Sequence, residues 1–507
     1  MDGRTGPRIS ATHFGTSGSG AQNSAGGDLS GACRSGLGSF GSDRGGNENG
    51  VALMGEGQGR RWFGTDGIRG RVGKVPMTPE FIAAVGAAAG KFFSRTSPRG
   101  KVLMARDTRG SGPMLEAALA AGLKSAGLSV ELAGVLPSGA TAMLVPARGA
   151  CAGAILSASH NPAADNGIKF CGATGAKLTD EEESQLESVL DWERPPAIGE
   201  KTGALDFSCR DWAMEGYRKK LVQAFGEAFS LQGRKVLVDA AHGAAWWTTP
   251  EILRGLGAEV EVMSDHPDGR NINEGCGSEH PEGLIAKIRE RSGWIGLAHD
   301  GDADRLVLVD EKGERVDGDE LIAMAALDAL ERGKLPHKTV VVTVMSNLGL
   351  DEAMAKQGGR VVRTPVGDRY VAAAMKEGGF TLGGEQSGHL LFLDASPAGD
   401  GLLSSLKIFD LLQRKKETLH RSRAVMKRYP QKLVNLKVRH KPAWETVPPL
   451  AAAVREMERF LEKKGRILLR YSGTENLVRL LVEADEEDKI SKVQEKLVPI
   501  LNEQLGE

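Results

Sequence analysis

Asp300, Asp302 and Asp304 stand at alternate positions in the segment Asp300-Gly301-Asp302-Ala303-Asp304. Where a strand ends and its chain curls, such carboxylates can converge on one cation, and magnesium takes oxygen donors in an octahedral shell. The small residues between them let the backbone come close, and Arg305, which follows, can hold a substrate phosphate. Read alone, the segment also fits a solvated acidic turn or a calcium loop, because short acidic motifs recur often. An EF-hand is disfavoured by flanks that read as strands rather than helices. A second segment is Ser157-Ala158-Ser159-His160-Asn161-Pro162. Ser159 follows an apolar strand, and a hydroxyl at a strand's carboxyl end sits where α/β folds place ligands. It can act as a nucleophile if a base activates it, or as a phosphate carrier if it is already esterified. Taken alone, a Ser-His-Asn turn is usually no more than a turn, and no G-x-S-x-G elbow surrounds it to support a hydrolase.

Two further segments carry polar groups around glycines. In Gly383-Gly384-Glu385-Gln386-Ser387-Gly388-His389 the Glu, Gln, Ser and His can bond the several hydroxyls of a sugar; the plainer alternative is a glycine-rich connection with a surface histidine. In Arg470-Tyr471-Ser472-Gly473-Thr474-Glu475, with Arg479 beyond, short hydroxyls, backbone N–H groups and two guanidiniums can enclose a phosphate dianion. Its alternative is a hairpin with ordinary surface arginines. Phe63-Gly64-Thr65-Asp66-Gly67-Ile68-Arg69-Gly70 sets an arginine in a glycine-rich loop, and Asp165-Asn166-Gly167-Ile168-Lys169 brings a lysine ten residues after Ser159. Each of these, by itself, also reads as a turn with a solvated cation.

The elements that must position these groups are those of α/β domains, in which short β-rich runs alternate with helical stretches from Arg61 onward. Lys101–Asp107 and Gly153–Ser159 read as buried strands ending in polar loops. Thr78-Pro79-Glu80 starts a helix with a capping Thr and Pro at the first helical position, and Thr179-Asp180-Glu181-Glu182 has capping-box spacing. The charged, Pro-containing stretch Asp191–Ala204 precedes a domain boundary. A second unit opens near Trp212 with the strand Lys235–Ala241, and in a third Asp317-Gly318-Asp319-Glu320 caps a helix over Leu321–Leu330, followed by a strand over Thr339–Thr343. Beyond about Lys427 the composition shifts to a smaller α+β unit, with a charged helix Leu450–Lys464 and two strands flanking Ser472-Gly473-Thr474-Glu475. The expected division is a disordered Gly/Ser-rich tail over 1–60, α/β domains over 61–208, 209–312 and 313–426, and a terminal domain over 427–507. Three successive α/β units of about 100 residues suggest duplicated domains.

Composition sets the outer limits. The 507 residues are too many for one core. With 65 Lys and Arg against 66 Asp and Glu, nothing global draws the chain to nucleic acid or membrane, so anion affinity must be local. Cys33, Cys151, Cys171, Cys209 and Cys276 lie far apart without metal spacing, which fits free thiols in a reducing compartment. No apolar run reaches the roughly 18 to 20 residues of a membrane span, and no apolar signal-peptide core opens the chain. These features point to a cytoplasmic protein. The first 60 residues have too few apolar side chains to offset the entropy of ordering; they read either as a real extension or as an over-long start with Met54 as the true initiator.

Taken in order, FGTDGIRG, SASHNP with DNGIK, DGDADR, TPVGDRY at Thr364–Tyr370, GGEQSGH and RYSGTE resemble the α-D-phosphohexomutase superfamily, and within it the bacterial phosphoglucosamine mutases, over nearly all of Arg61 to Glu507. The resemblance implies three related mixed α/β domains and a smaller mobile fourth around a central cleft. It implies that Ser159 is a phosphoserine and that its phosphate oxygen joins Asp300, Asp302 and Asp304 around one Mg²⁺. His160 and Lys169 then lie beside the reacting phosphate, and Arg69 supports the site. Glu385, Ser387 and His389 match the sugar-recognition loop, and Arg305 faces substrate phosphate. Arg470, Ser472, Gly473, Thr474 and Arg479 match the loop that grips the distal phosphate. The implied activity interconverts glucosamine 6-phosphate and glucosamine 1-phosphate through a hexose 1,6-bisphosphate that serves as intermediate or activator, feeding UDP-N-acetylglucosamine and cell-wall precursor synthesis. The implied partner is a hexosamine phosphate, with neither nucleic acid nor membrane, and a homodimer is compatible with the resemblance.

The chain departs from the family pattern at His242, where Asn is usual, at Pro137-Ser138-Gly139-Ala140, which replaces a more usual Thr-Pro stretch, and at Asn476, where Pro is common. None removes an implied metal or phosphate ligand. The rival readings are a phosphomannomutase or phosphoglucomutase with the same mechanism, and a noncatalytic sugar-phosphate-binding regulator. The last would be expected to have lost Ser159 or one of the loop aspartates, and all are present.

Overall fold

A computed structural model describes residues 61–198, 210–226, 228–472 and 476–506. The tail expected over 1–60 lies outside the described residues. The first domain is a sheet of β1 (Ile68–Arg71), β2 (Lys101–Arg106), β3 (Ser129–Val135), β4 (Ala152–Leu156) and β5 (Asp165–Gly172), in spatial order β1-β5-β4-β2-β3. The second contains β6 (Lys235–Asp239), β7 (Glu259–Met263), β8 (Trp294–Ala298), β9 (Val307–Val309) and β10 (Arg315–Val316), in order β10-β9-β8-β6-β7. The third contains β11 (Thr339–Thr343), β12 (Arg360–Thr364), β13 (Leu382–Gly384) and β14 (Leu390–Phe392), in order β12-β11-β13-β14.

These sheets repeat one plan. A central strand (β2, β6 or β11) runs parallel to a neighbour on each side, and a fourth strand then adds antiparallel. Burial on both faces explains the near-continuous apolar runs of β4, β8 and β11, every residue of which is buried. The consequence for function is positional. The segments with Ser159, with Asp300–Asp304 and with Glu385–His389 are all the loop between the last parallel strand of their sheet and the antiparallel strand that follows it: β4 to β5, β8 to β9, and β13 to β14. Each lies outside the carboxyl end of a parallel strand, where open α/β sheets bind ligands.

The fourth domain is an antiparallel sheet of β15 (Gln431–Lys437), β16 (Gly465–Tyr471) and β17 (Leu477–Ala484), in order β15-β17-β16. The helices Pro448–Leu461 and Glu487–Leu505 pack their apolar residues on it, so this is an α+β unit with its own core. Among the described residues no helix is long and apolar enough to cross a membrane. Cys151, Cys171 and Cys276 are free thiols, whereas Cys33 and Cys209 lie outside the described residues.

Local chemistry accounts for the element ends. Thr78 accepts a hydrogen bond from the Phe81 N–H at 3.3 Å, and reciprocal capping boxes form at Thr179 and Asp317. The strand expected over Gly153–Ser159 ends at Leu156, because the Ser157 hydroxyl takes the Ser159 N–H out of the ladder and Ser159 is left-handed, with φ +52°. The strand expected to Ala241 stops at Asp239, whose carboxylate accepts the Ala241 N–H at 3.0 Å. The helix expected over Leu450–Lys464 runs over Pro448–Leu461; its prolines occupy the first turn, where no N–H is needed, and Glu462 at φ +53° ends it. The helix expected from Leu321 starts at Gly318, directly after its Asp317 cap.

Candidate active site

The β8–β9 loop curls as its alternating acids require. Asp300, Asp302 and Asp304 are 0, 1 and 4 % exposed, and each offers a carboxylate oxygen such that these atoms lie within 4.8 Å of one another. A solvated acidic turn is thereby excluded. The Ser159 hydroxyl donates to Asp300 Oδ2 at 2.5 Å, across the junction between the first and second domains. That approach requires glycine at 301, since a Cβ there would lie 2.6 Å from the Ser159 carbonyl oxygen. Burial, then the neighbouring Asp304 and Asp302 charges, push the Asp300 carboxyl up to about 8. Among the described residues Asp302 keeps one buried oxygen, Oδ1, without a hydrogen-bond partner, while its Oδ2 accepts from Lys169 at 2.9 Å and from the Ser138 hydroxyl at 2.5 Å. An all-oxygen donor set with an orphaned carboxylate oxygen and repelling charges fits a hard divalent cation such as Mg²⁺.

Lys169 reaches this cluster from β5, where it pairs with Ile155 of β4. It belongs to a closed ring of alternating charge. Lys169 Nζ meets Asp302 at 2.9 Å, Asp304 at 3.4 Å and Asp66 at 2.7 Å; Lys177 joins Asp66 to Asp368, each at 2.6 Å; His389 closes the ring with Asp368 at 3.2 Å and Asp304 at 3.4 Å. Burial pulls the His389 imidazole down, but Asp304 and Asp368 outweigh it and push it up to about 10. Burial likewise opposes the charged form of Lys169, and Asp302, Asp66 and Asp304 together hold its pKa well above the usual lysine value. Lys169 is therefore a committed cation, not a waiting base.

His160 has the opposite character. Its Nδ1 lies 3.3 Å from Ser159 Oγ, and burial followed by the Arg305 charge lowers the imidazole to about 4, so it is neutral at ordinary pH. Arg69 stands on β1 rather than in a free loop; its guanidinium donates to the Ala158 carbonyl at 3.2 Å and to Asn161 Oδ1 at 3.4 Å and pairs with Asp66. Arg305 pairs with Glu279 at 2.8 Å and stands 4.0 Å from Asp300. Glu385 accepts the Gly367 N–H at 3.0 Å, and burial raises its pKa; Ser387 Oγ is buried without a hydrogen-bond partner among the described residues. The β4–β5, β8–β9 and β13–β14 loops thus meet at one place.

Family models of the phosphoglucomutase/phosphomannomutase type match the chain four times: alpha/beta/alpha domain I over 60–195, domain II over 215–313, domain III over 317–429 and the C-terminal domain over 433–500. Phosphoglucosamine mutase of Syntrophotalea carbinolica is 42 % identical over 449 residues, covering 88 % of this chain and 98 % of the relative. That of Anoxybacillus flavithermus is 44 % identical over 451 residues, covering 88 % and 99 %. The chain belongs to this phosphohexomutase family. Among solved structures, a phosphoglucomutase/phosphomannomutase family protein of Burkholderia thailandensis has TM-score 0.71 at 24 % identity, covering 87 % of this chain and 97 % of that one. N-acetylphosphoglucosamine mutase of Aspergillus fumigatus, in complex with GlcNAc-6P and magnesium, has TM-score 0.57 at 19 % identity, covering 87 % and 96 %. At these identities the likeness is one of fold.

The phosphohexomutase is accordingly an enzyme of the isomerase class, and its fourth domain contributes a separate group. Arg470 on β16 and Arg479 on β17 stand directly opposite each other in the antiparallel register. Burial, then the Arg479 charge, lowers the Arg470 pKa, which marks a spot where an anion is favoured. Ser472 is buried, its N–H bonds the Leu477 carbonyl at 2.8 Å and its carbonyl accepts from Lys441 at 2.6 Å; Gly473 and Thr474 lie outside the described residues. Sequence reasoning singled out neither Asp66, Lys177 and Asp368 of the phosphohexomutase charge ring nor Ser138. Asp66 and Asp368 sit inside FGTDGIRG and TPVGDRY, so those motifs were the available signal, whereas nothing local distinguishes Lys177.

Proposed function

We propose that this phosphohexomutase interconverts glucosamine 6-phosphate and glucosamine 1-phosphate, with Ser159 as its phosphate carrier. The observation that carries this reading is the buried Ser159 hydroxyl 2.5 Å from Asp300 at the mouth of three converging carboxylates. In the forward step the P–O bond to Ser159 breaks as a P–O bond to the free sugar hydroxyl forms, and the proton that hydroxyl gives up ends on Ser159 Oγ, giving a bisphosphorylated hexosamine. The sugar then turns around and the reverse step returns its other phosphate to Ser159. Asp300, Asp302 and Asp304, with a phosphoserine oxygen, would hold Mg²⁺, which when bound withdraws charge from the transferring phosphoryl group. Lys169 adds fixed positive charge on the same side, and neutral His160 beside Ser159 Oγ can take or return the proton exchanged at that oxygen. Glu385, Ser387 and His389 orient the sugar ring, Arg305 and Arg69 compensate phosphate charge, and the facing Arg470 and Arg479 hold the distal phosphate with Ser472, Gly473 and Thr474. Two orientations of one substrate are tolerated because guanidiniums and hydroxyls bind phosphate rather than ring geometry.

The test combines intact mass, peptide mapping and a coupled assay on glucosamine, glucose and mannose phosphates. The purified chain should carry one phosphate on the Ser159 peptide and turn over the glucosamine substrate fastest. Ser159→Ala should remove turnover while the melting temperature stays nearly unchanged. Faster turnover of mannose or glucose phosphate would reassign the sugar, and substantial activity in Ser159→Ala would overturn the phosphoserine reading.

A further inference from the structure

Both peptide groups of Ser159 are bound by buried side chains that lie outside the carboxylate cluster of Asp300, Asp302 and Asp304. Its N–H donates to Ser157 Oγ at 2.9 Å, and that hydroxyl donates to Asp107 Oδ2 at 2.6 Å. Its carbonyl oxygen accepts from Arg109 Nη2 at 3.0 Å and from Asn273 Nδ2 at 2.9 Å. Arg109 is fully buried and spends its remaining donors on the same loop: the carbonyls of Asn161 at 2.8 Å, Asp165 at 2.9 Å and Pro162 at 2.5 Å, with Nε on Asp107 at 2.8 Å. Asn273 comes from the second domain and also donates to the Asn161 carbonyl at 3.1 Å. Ser159 at φ +52° occupies the left-handed region, which an L-residue keeps only when its surroundings over-determine it.

We infer that Arg109 and Asn273 are positioning residues that clamp the Ser159 carbonyl from two domains and so hold the phosphate-bearing side chain toward Asp300. Rotation of that peptide back to an ordinary conformation would swing Cβ, and with it Oγ, away from the carboxylates. The clamp also explains why the second domain matters to a serine of the first: Asn273 and the Cβ-free Gly301 both lie against the same carbonyl. Two donors from different domains, converging on one strained peptide, give that geometry a dependence on how the domains are docked.

This inference rests on the reading of Ser159 as the phosphate carrier, and Ser159→Ala is therefore run beside the test variants. In the full-length protein with glucosamine 6-phosphate, Asn273→Ala and the isosteric Asn273→Asp should each lower kcat at least tenfold with KM changed less than twofold. Asp keeps the size but replaces the donor with an acceptor. Arg109→Lys should lower kcat similarly, and the Arg109→Lys/Asn273→Ala double variant should lose less than the product of the single losses, because both act through one carbonyl. If Arg109→Lys fails to fold, the Asn273 pair decides alone. Wild-type kcat in Asn273→Asp, or a kcat loss fully accounted for by a smaller folded fraction, would overturn the clamp. Inactive Ser159→Ala beside a normal Asn273→Ala would overturn the clamp only; active Ser159→Ala would overturn the carrier reading beneath it.

Discussion

At the scale of single residues, the three loop aspartates show how one residue type acquires different behaviour from its neighbours. Asp304 is held well below the usual carboxylate range: burial would raise it, but Lys169 and His389 outweigh that penalty. Asp300, facing Ser159 and the other two acids, is pushed up to about 8. The burial and carboxylate crowding that oppose a charged Asp300 are what a bound divalent ion would offset. Adding Mg²⁺ at roughly 100 times its dissociation constant should stabilise the protein by about 2.7 kcal/mol, read as a rise of a few degrees in the first melting transition, and Asp302→Asn should remove most of that rise. Ser138 supplies a second prediction. Its hydroxyl holds Asp302 Oδ2 and leaves Oδ1 without a partner among the described residues; if the three acids bind Mg²⁺ as proposed, Ser138→Ala should weaken that binding about tenfold, measured by the Mg²⁺ concentration that half-saturates the melting shift.

At the scale of elements, strand and helix ends decide where polar groups can stand. The helix Gly401–Lys415 begins at Asp400, whose carboxylate accepts the Leu403 N–H at 2.8 Å and the Tyr217 hydroxyl at 2.9 Å, and the residue is 1 % exposed. Burial raises its pKa from 3.8 to about 6. A folded-state pKa above the unfolded one favours the folded state most below about pH 4, and that advantage is lost as pH rises through about 6. Asp400→Asn keeps a capping side chain but does not titrate. Between pH 4 and 8 the wild type should therefore lose about 2 kcal/mol of stability relative to this variant, measured by urea unfolding at both pH values. Much at this scale was legible in sequence: the caps at Thr78, Thr179 and Asp317 and the strand Thr339–Thr343 all follow from local residue types. Among the misplaced ends, those at Ser159 and Ala241 lie where side-chain bonds and left-handed residues stop a strand that its apolar pattern would continue.

For the whole molecule, one repeated sheet plan brings the serine, metal and sugar loops to equivalent positions, and docking of the three sheets turns them into one site. That docking has visible ties. Arg369, at the start of the helix Asp368–Gly378, pairs with Glu183 at 2.8 Å and with Asp180 of the helix Asp180–Ser188, linking the third domain to the first. The Arg369 and Glu183 side chains are 8 and 6 % exposed. Arg369→Ala should destabilise the protein by about 3 kcal/mol, the scale for breaking a buried pair from one side, read as an earlier urea transition. It should also lower kcat, since Asp368 beside it belongs to the charge ring.

The sequence by itself determined the element types, the α/β class and the candidates for the reacting groups, because helix caps, apolar strands and closely spaced motifs are local features of the chain. Asp300, Asp302 and Asp304 could be read as a cluster since alternate residues of one loop cannot lie far apart. Only the tertiary structure decided that Lys169 and His389 are charged partners of Asp304 rather than solvated side chains, that Lys177 closes a ring through Asp66 and Asp368, and that Asn273 reaches the Ser159 carbonyl across a domain boundary. All of those pairings but Lys177 with Asp66 join residues of different domains. Their protonation and roles are set by burial and by opposing charges, which arise only when the domains pack.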